Sequence, residues 1–190
     1  MAWSPTGTMP ATGSDDHTAQ IWDVPDHRLL HRLTGHQSRV DAVAWSPDCS
    51  WLATSSGDWT IRIWDAATGT LRHILKGHEA RVHGLAWSPD GSRIAAGPDD
   101  RTVRLWNPLD GGQNRVIGIH RDRCSPVAWL PDSRRVDSAS EDRTIRVWAA
   151  EGDITALLPA ARERIFRSLT AEERRAHPLP ETGTVSTGSG

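Results

Sequence analysis

Histidine, hydroxyl and carboxylate residues recur along this chain at fixed offsets. His36, Thr54 and Asp58 form one set, followed by Trp64, and His120, Ser138 and Asp142 form another, followed by Trp148. Residues of these types are the raw material of nucleophilic hydrolysis, in which a carboxylate orients an imidazole that takes a proton from a hydroxyl. Two further copies are incomplete. His78, Asp100 and Trp106 keep the spacing, but Ala96 stands at the hydroxyl position. Thr12, Asp16 and Trp22 keep it with no histidine. A catalytic set need occur only once, whereas a building set must recur in each unit. Repetition therefore favours mutual satisfaction of buried polar groups, each of which costs roughly 1–3 kcal/mol if left unpaired. A hydrolase using Thr54 or Ser138 is the rival from another class. Metal chemistry has less to stand on. Of nine histidines, three belong to these sets, and the rest show no zinc-type spacing. His27 and His31 are four apart, but they flank a short β-rich run and are expected in a solvated loop. No metal and no cofactor are expected.

The sets are positioned by a period of 42 residues. Trp3, Trp45, Trp87 and Trp129 obey it, as do Trp22, Trp64, Trp106 and Trp148, so eight of the ten tryptophans are repeat positions. The second unit reads most clearly. The runs "VDAVAW", "WLATS", "TIRIWD" and "TLRHIL" are separated by the turn-forming stretches "SPDCS", "SGDW" and "AATG". Four short strands joined by Gly, Asp, Pro and Ser turns make an antiparallel meander. Several strands carry apolar residues on both faces, which suits a sheet covered on both sides. Four-stranded units of this length, stacked radially, describe a β-propeller blade.

At this point the sequence resembles the WD-repeat family. The carrying residues are "GH" at 35–36 and 77–78, "WD" at 22–23 and 64–65, and the "SxDxT" turns at 14–18, 56–60 and 140–144. Departures are Ile119 before His120, Asn107 and Ala149 after their tryptophans, and Pro98 in place of Ser. The expected fold is all-β, with about four repeats forming an incomplete propeller. The expected blades are 1–33 (partial), 34–75, 76–117 and 118–150. The resemblance implies that each His, hydroxyl, Asp and Trp set is a structural tetrad: Asp accepts from His, His meets the hydroxyl, and the hydroxyl accepts the indole N–H. It also implies a non-enzymatic interaction module whose partners are proteins or peptides.

The resemblance points to one end of the blades, near the start of each first strand and beside the tetrad Asp. The candidates there are Asp41, His83 and Ser125, then Asp15, Gly57, Asp99 and Glu141. Arg39, Arg81 and Arg123 recur just before the first strands. Together they predict a rim of mixed charge suited to charged peptides. The bland alternative is solvated loops with ion pairs of little worth. Trp59 lies at a turn tip where neither strand nor tetrad requires an aromatic residue, a common hot-spot signature. Arg62, Arg104 and Arg146 sit mid-strand and read as blade-packing or edge residues.

Composition narrows the setting. A formal net charge of −2 gives no electrostatic case for nucleic acid or an anionic membrane. No apolar run approaches the roughly 20 residues of a membrane span, and the start has no signal-peptide pattern. Two cysteines, Cys49 and Cys124, fit a reducing, cytoplasmic compartment. Lys76 is the sole lysine among 22 basic residues, and there is no Tyr, a bias expected of a GC-rich bacterial genome.

Beyond the repeats, residues 151–177 carry helical spacing and a Thr170/Glu173 capping-box pattern, so a helical tail is expected. Its stretch "ARERIFRSLTAEERR" is similar to tails that come after WD repeats in some actinobacterial proteins with signalling modules upstream. Residues 178–190 are rich in Pro, Gly, Ser and Thr and are expected to be disordered. They contain "LPETG", which resembles a sortase motif without the hydrophobic and basic segments that should accompany it. The first unit lacks its histidine loop, so the expectation is a piece of a larger bacterial signalling protein. A short-repeat protein that forms a homo-oligomer through its open blade edges is the second reading.

Overall fold

The computed structural model describes residues 1–111 and 114–150. The expected helical tail, the disordered tail and the LPETG stretch lie outside the described residues.

Each unit folds as a meander because its turns are built to reverse the chain. The first unit contributes β1 (Ala2–Trp3), β2 (Pro10–Gly13), β3 (Ala19–Asp23) and β4 (Arg28–Leu33). The second contributes β5 (Val40–Trp45), β6 (Trp51–Ser56), β7 (Ile61–Asp65) and β8 (Leu71–Leu75). The third contributes β9 (Val82–Trp87), β10 (Ile94–Pro98), β11 (Thr102–Trp106) and β12 (Asn114–Ile119). The fourth contributes β13 (Cys124–Trp129), β14 (Arg135–Ser140) and β15 (Ile145–Ala149). Neighbouring strands are antiparallel and in sequence order, giving three four-stranded sheets and one three-stranded sheet among the described residues. This is an all-β, incomplete propeller.

Two turn chemistries repeat. In the turn from β5 to β6, Ser46 Oγ donates to Asp48 Oδ1 at 2.5 Å and accepts the Trp51 N–H at 2.9 Å. The fourth turn position takes a left-handed backbone in every unit, at Gly7, Cys49, Gly91 and Ser133. In the turn from β6 to β7, Asp58 Oδ1 accepts the Thr60 N–H at 3.0 Å and its hydroxyl at 2.7 Å. The residue after that Asp is again left-handed: His17, Trp59, Arg101 and Arg143. These side-chain oxygens satisfy backbone groups that a tight turn would leave unpaired.

Packing obeys the two-residue strand period. Leu52 and Trp64 face the first sheet, in a buried cluster with Ala11, Ile21 and Leu33. Ala53, Ile61 and Ile63 face the third sheet, in a cluster with Val82, Trp87 and Trp106. A third cluster joins Val103 and Leu105 to Val127 and Val136 of the fourth sheet. The core is thus a series of apolar layers between successive sheets, and burying each such side chain contributes about 1.5–3 kcal/mol. The first-strand tryptophans stitch the layers. Trp87 Nε1 donates to the Ala44 carbonyl at 3.0 Å, and Trp129 Nε1 donates to Ala86 at 3.1 Å. Trp45, opposite the two-residue β1, has no such partner among the described residues. Gly118 on β12 admits the Trp148 ring, since a Cβ there would overlap it.

Candidate functional site

The His, hydroxyl, Asp and Trp residues meet inside two of the sheets. In the second, His36 Nδ1–H donates to Asp58 Oδ2 at 2.8 Å. Thr54 donates its hydroxyl to His36 Nε2 at 2.8 Å and accepts Trp64 Nε1–H at 2.9 Å. The carboxylate at one end and the indole donor at the other fix the imidazole as the neutral Nδ1–H tautomer. The fourth sheet repeats this with His120 to Asp142 at 3.2 Å, Ser138 to His120 at 2.7 Å and Trp148 to Ser138 at 2.6 Å. In the third sheet Ala96 leaves no hydroxyl, and Trp106 Nε1–H reaches His78 Nε2 directly at 3.3 Å. His78 Nδ1 is then 3.9 Å from Asp100, beyond hydrogen-bond reach. In the first unit Thr12, Asp16 and Trp22 do not form a chain. Asp16 is taken by Thr18 at 2.7 Å and Arg32 at 2.8 Å, and Trp22 is exposed.

The electrostatics match a buried structural network. Burial holds His36 and His78 below the usual imidazole range, against the pull of Asp58 and Asp100. For Asp58, burial opposes ionisation, but hydrogen bonds from Thr60, the Gln37 N–H and His36 outweigh it and bring the carboxyl to about 2. Asp100 is likewise held below the carboxylate range, its donors outweighing burial. The triad reading fails on access. Thr54 and Ser138 are buried, and each accepts an indole N–H on the oxygen that would have to attack.

The second site is a charged rim at the end of the sheets that carries these Asp turns. Asp41 sits at its centre, gripped by Arg81 through Nε at 2.6 Å and Nη2 at 2.5 Å, with Arg39 Nε at 3.2 Å. His83 Nε2 lies 3.3 Å from Asp99. Burial works against the charge on Asp41, as do the like charges of Asp15 and Asp99, while His83 and Arg39 work for it. The rim thus draws carboxylates from three successive units to one place. A backbone tie repeats beneath it: Gly57, Asp99 and Glu141 donate their N–H groups to the carbonyls of Arg39, Arg81 and Arg123 at 2.8–3.0 Å. Arg123 and Glu141 lie next to β13, the strand that carries Ser125, with Arg123 exposed. Trp59 stands beside the rim, 52% exposed, on the left-handed turn residue. Among the described residues no group of three His, Cys, Asp or Glu side chains is placed to hold a metal ion.

The model of the family described as "WD domain, G-beta repeat" matches residues 1–23, 27–65, 69–107 and 116–149. This chain belongs to the WD40 family. Its curated relatives include the U5 small nuclear ribonucleoprotein 40 kDa proteins of Homo sapiens, Pongo abelii and Bos taurus. Each is 40% identical over 43 residues, which is 23% of this chain and 12% of the relative. That length is about one WD40 repeat.

WD40 repeats make a protein-interaction scaffold, and proteins of this family are generally not enzymes. One detail of this WD40 chain departs from the reading of its sequence, and another has no counterpart in that reading. His31 lies in β4 rather than a loop, with Nε2 at 3.0 Å from the Ala67 carbonyl of the next sheet. Asp137 on β14 has a buried Oδ1 with no partner among the described residues. Its signal is present in the repeat, since Ala11, Ala53 and Ala95 occupy the same step.

Proposed function

We propose that this WD40 chain is a docking module that binds a protein segment bearing a Lys or Arg side chain on the Asp41 rim. The observation that carries this is the convergence of Asp15, Asp41 and Asp99 from three units. Asp41 is held by Arg81 and Arg39, so the neighbouring carboxylates of Asp15 and Asp99 are the ones an incoming cation would meet, relieving their repulsion with Asp41. Trp59 offers an apolar anchor at the same end. The setting we propose is a cytoplasmic bacterial signalling protein, supported by the single lysine, the two unpaired cysteines and the tail resemblance.

The test is a peptide array of matched basic, acidic and neutral sequences probed with the full chain. Basic peptides should bind, and Asp99→Lys should weaken binding by about tenfold or more, the scale of a like-charge juxtaposition. Asp26→Lys, in the exposed turn before β4 at the opposite end, should leave binding unchanged. Equal binding to all three peptide classes, or equal effects of both substitutions, overturns the rim assignment.

A further inference from the structure

Two of the ten tryptophans stand outside the 42-residue step. Trp59 stands beside the rim. Trp51 lies at the other end of the sheets, where the same step places Met9, Arg93 and Arg135 in the other units. Arg93 ties its sheet to the next, with Nη1 donating to the Ala150 carbonyl at 3.0 Å. Trp51 instead opens β6, partly buried, and packs on the apolar layer of Ile63, Trp87 and Trp106. Leu109 departs from the repeat in the same place. It is 65% exposed, and its step is held by Pro25 and Ala67 earlier in the chain. Asn107 Oδ1 fixes its position by accepting the Leu109 N–H at 3.0 Å. The folding of a repeat requires neither residue, since the other units do without them.

Together they wall a cleft between the second and third sheets. It holds about 190 Å³, with Trp51, Trp87 and Leu109 as apolar sides and the turn residues Pro47, Asp48 and Asp90 at one end. The two turns at that end touch, since a Cβ on Gly91 would lie 3.7 Å from Pro47 Cδ. A smaller hollow of about 60 Å³ shares the same three apolar sides and reaches Arg72 and His73. Asp48 and Asp90 each serve their own turn through Oδ1. Asp48 accepts there from the Ser46 hydroxyl and the Ser50 N–H, and Asp90 from the Ser88 hydroxyl and the Ser92 N–H. Among the described residues no hydrogen bond engages Oδ2 of either. Both groups are charged at neutral pH. The Ser46 hydroxyl holds Asp48 below the usual carboxylate range; for Asp90 burial opposes ionisation, but bonds from Ser88 and Ser92, helped by Arg93, outweigh it. A guanidinium is the cation that suits this end. It is planar and weakly hydrated, so it stacks on an indole while its N–H fork donates to carboxylates. A lysine ammonium is more strongly hydrated and gains less from apolar walls.

We propose that this cleft is a second docking site, and that its occupant is an extended protein segment carrying an arginine beside an aliphatic residue. The guanidinium meets the Asp48 and Asp90 carboxylates over Trp51, and the aliphatic side chain lies against Trp87 and Leu109. Both walls come from adjacent sheets of this chain. A further sheet would stack on the first or the fourth, and neither lines the cleft. The site shares no residue with the Asp41 rim and lies at the opposite end of the sheets, so the two readings stand or fall separately.

The experiment is fluorescence anisotropy of short labelled peptides titrated with the full chain, repeated on Asp99→Lys so that binding at the rim is set apart. The peptides place Arg beside Leu, Arg beside Ser, Lys beside Leu, or Glu beside Leu. The first should bind best and should keep its affinity in the Asp99→Lys chain. Asp48→Asn combined with Asp90→Asn leaves Oδ1 to each turn and removes the charge, so the fold should stand and Kd should rise by about tenfold. Trp51→Arg installs the residue type that Arg93 and Arg135 already supply at this step, so circular dichroism should show it folded, with Kd raised by about 30-fold or more. Failure of the first peptide to bind the Asp99→Lys chain overturns the proposal. So does equal binding of the peptide with Arg beside Ser, or an affinity that the Asn pair leaves unchanged.

Discussion

Replacing Thr54 tests the tetrad in a way that sets two physical effects against each other. Thr54→Val keeps the side-chain shape but removes the hydroxyl. His36 Nε2 and Trp64 Nε1, at 2.8 and 2.9 Å from that oxygen, are then both buried without a partner. Each orphan costs roughly 1–3 kcal/mol, so the loss should be about 2–6 kcal/mol. Thr54→Ala removes the hydroxyl and also opens space. The third sheet has that space, and there, with Ala96, the indole donates straight to the imidazole at 3.3 Å. The same collapse in Thr54→Ala joins the indole to Nε2 but, as at His78, draws Nδ1 away from its carboxylate, leaving one orphan in place of two and a loss of about 1–3 kcal/mol with some imperfect packing. Apolar burial alone predicts the reverse order, because Val buries about two more carbons at roughly 0.8 kcal/mol each. Urea titration monitored by tryptophan fluorescence gives midpoint and slope for both variants. The valine variant should unfold at lower urea with an unchanged slope. A valine variant as stable as the alanine variant would refute the hydrogen-bond account.

The same geometry sets three further outcomes. His36 and His78 have lowered pKa values in the fold, so the unfolded chain binds more protons; stability should be full above about pH 6.5 and fall as pH drops below it. A second loss should come as pH falls from the ordinary aspartate range toward the Asp58 value of about 2, both visible as urea midpoints measured across pH. Burial pushes the Cys124 thiol up to about 11, so a thiol reagent should modify only the partly accessible Cys49 until urea unfolds the chain. Gly118→Ala places a methyl inside the Trp148 ring and should cost about 1–3 kcal/mol by thermal or urea unfolding. Gly7→Ala, on an exposed left-handed turn with open space around it, isolates backbone strain for comparison.

Much of the fold is legible in the sequence because each blade repeats the same physical problem. The 42-residue step shows in Trp, Asp and Thr positions because the turn, the strand and the buried network each demand one residue type. The networks of Thr54 and Ser138 are readable for the same reason, and Ala96 flags where one departs. Other features arise between units that are close in space and far apart in sequence. The pairing of Asp41 with Arg81 spans 40 residues, and the bond from His31 to Ala67 spans 36. Neither leaves a local pattern. Trp22 has the tetrad spacing, yet with no histidine in its unit it joins no such network and lies exposed.

Repetition and departure carry different information in such a chain. A residue that recurs at every step answers a demand made by every blade, which is a demand of folding. Thr18, Thr60, Thr102 and Thr144 all bond the Asp two residues earlier, and nothing about them distinguishes one blade from another. A residue that breaks the step answers a demand of its own place. Gly57, Asp99 and Glu141 make one backbone bond in common, yet they put nothing, a carboxylate paired to His83, and a second carboxylate on the rim. Trp59 takes a left-handed position that His17, Arg101 and Arg143 fill elsewhere, and Asp137 takes an alanine position in an apolar layer. Asp99 sets a like charge near Asp41, and Asp137 carries a buried oxygen with no partner among the described residues, each at a cost in folding energy. At the rim, where Trp59 is also exposed, a second molecule can return that energy, which is why the rim is a place to look for a partner.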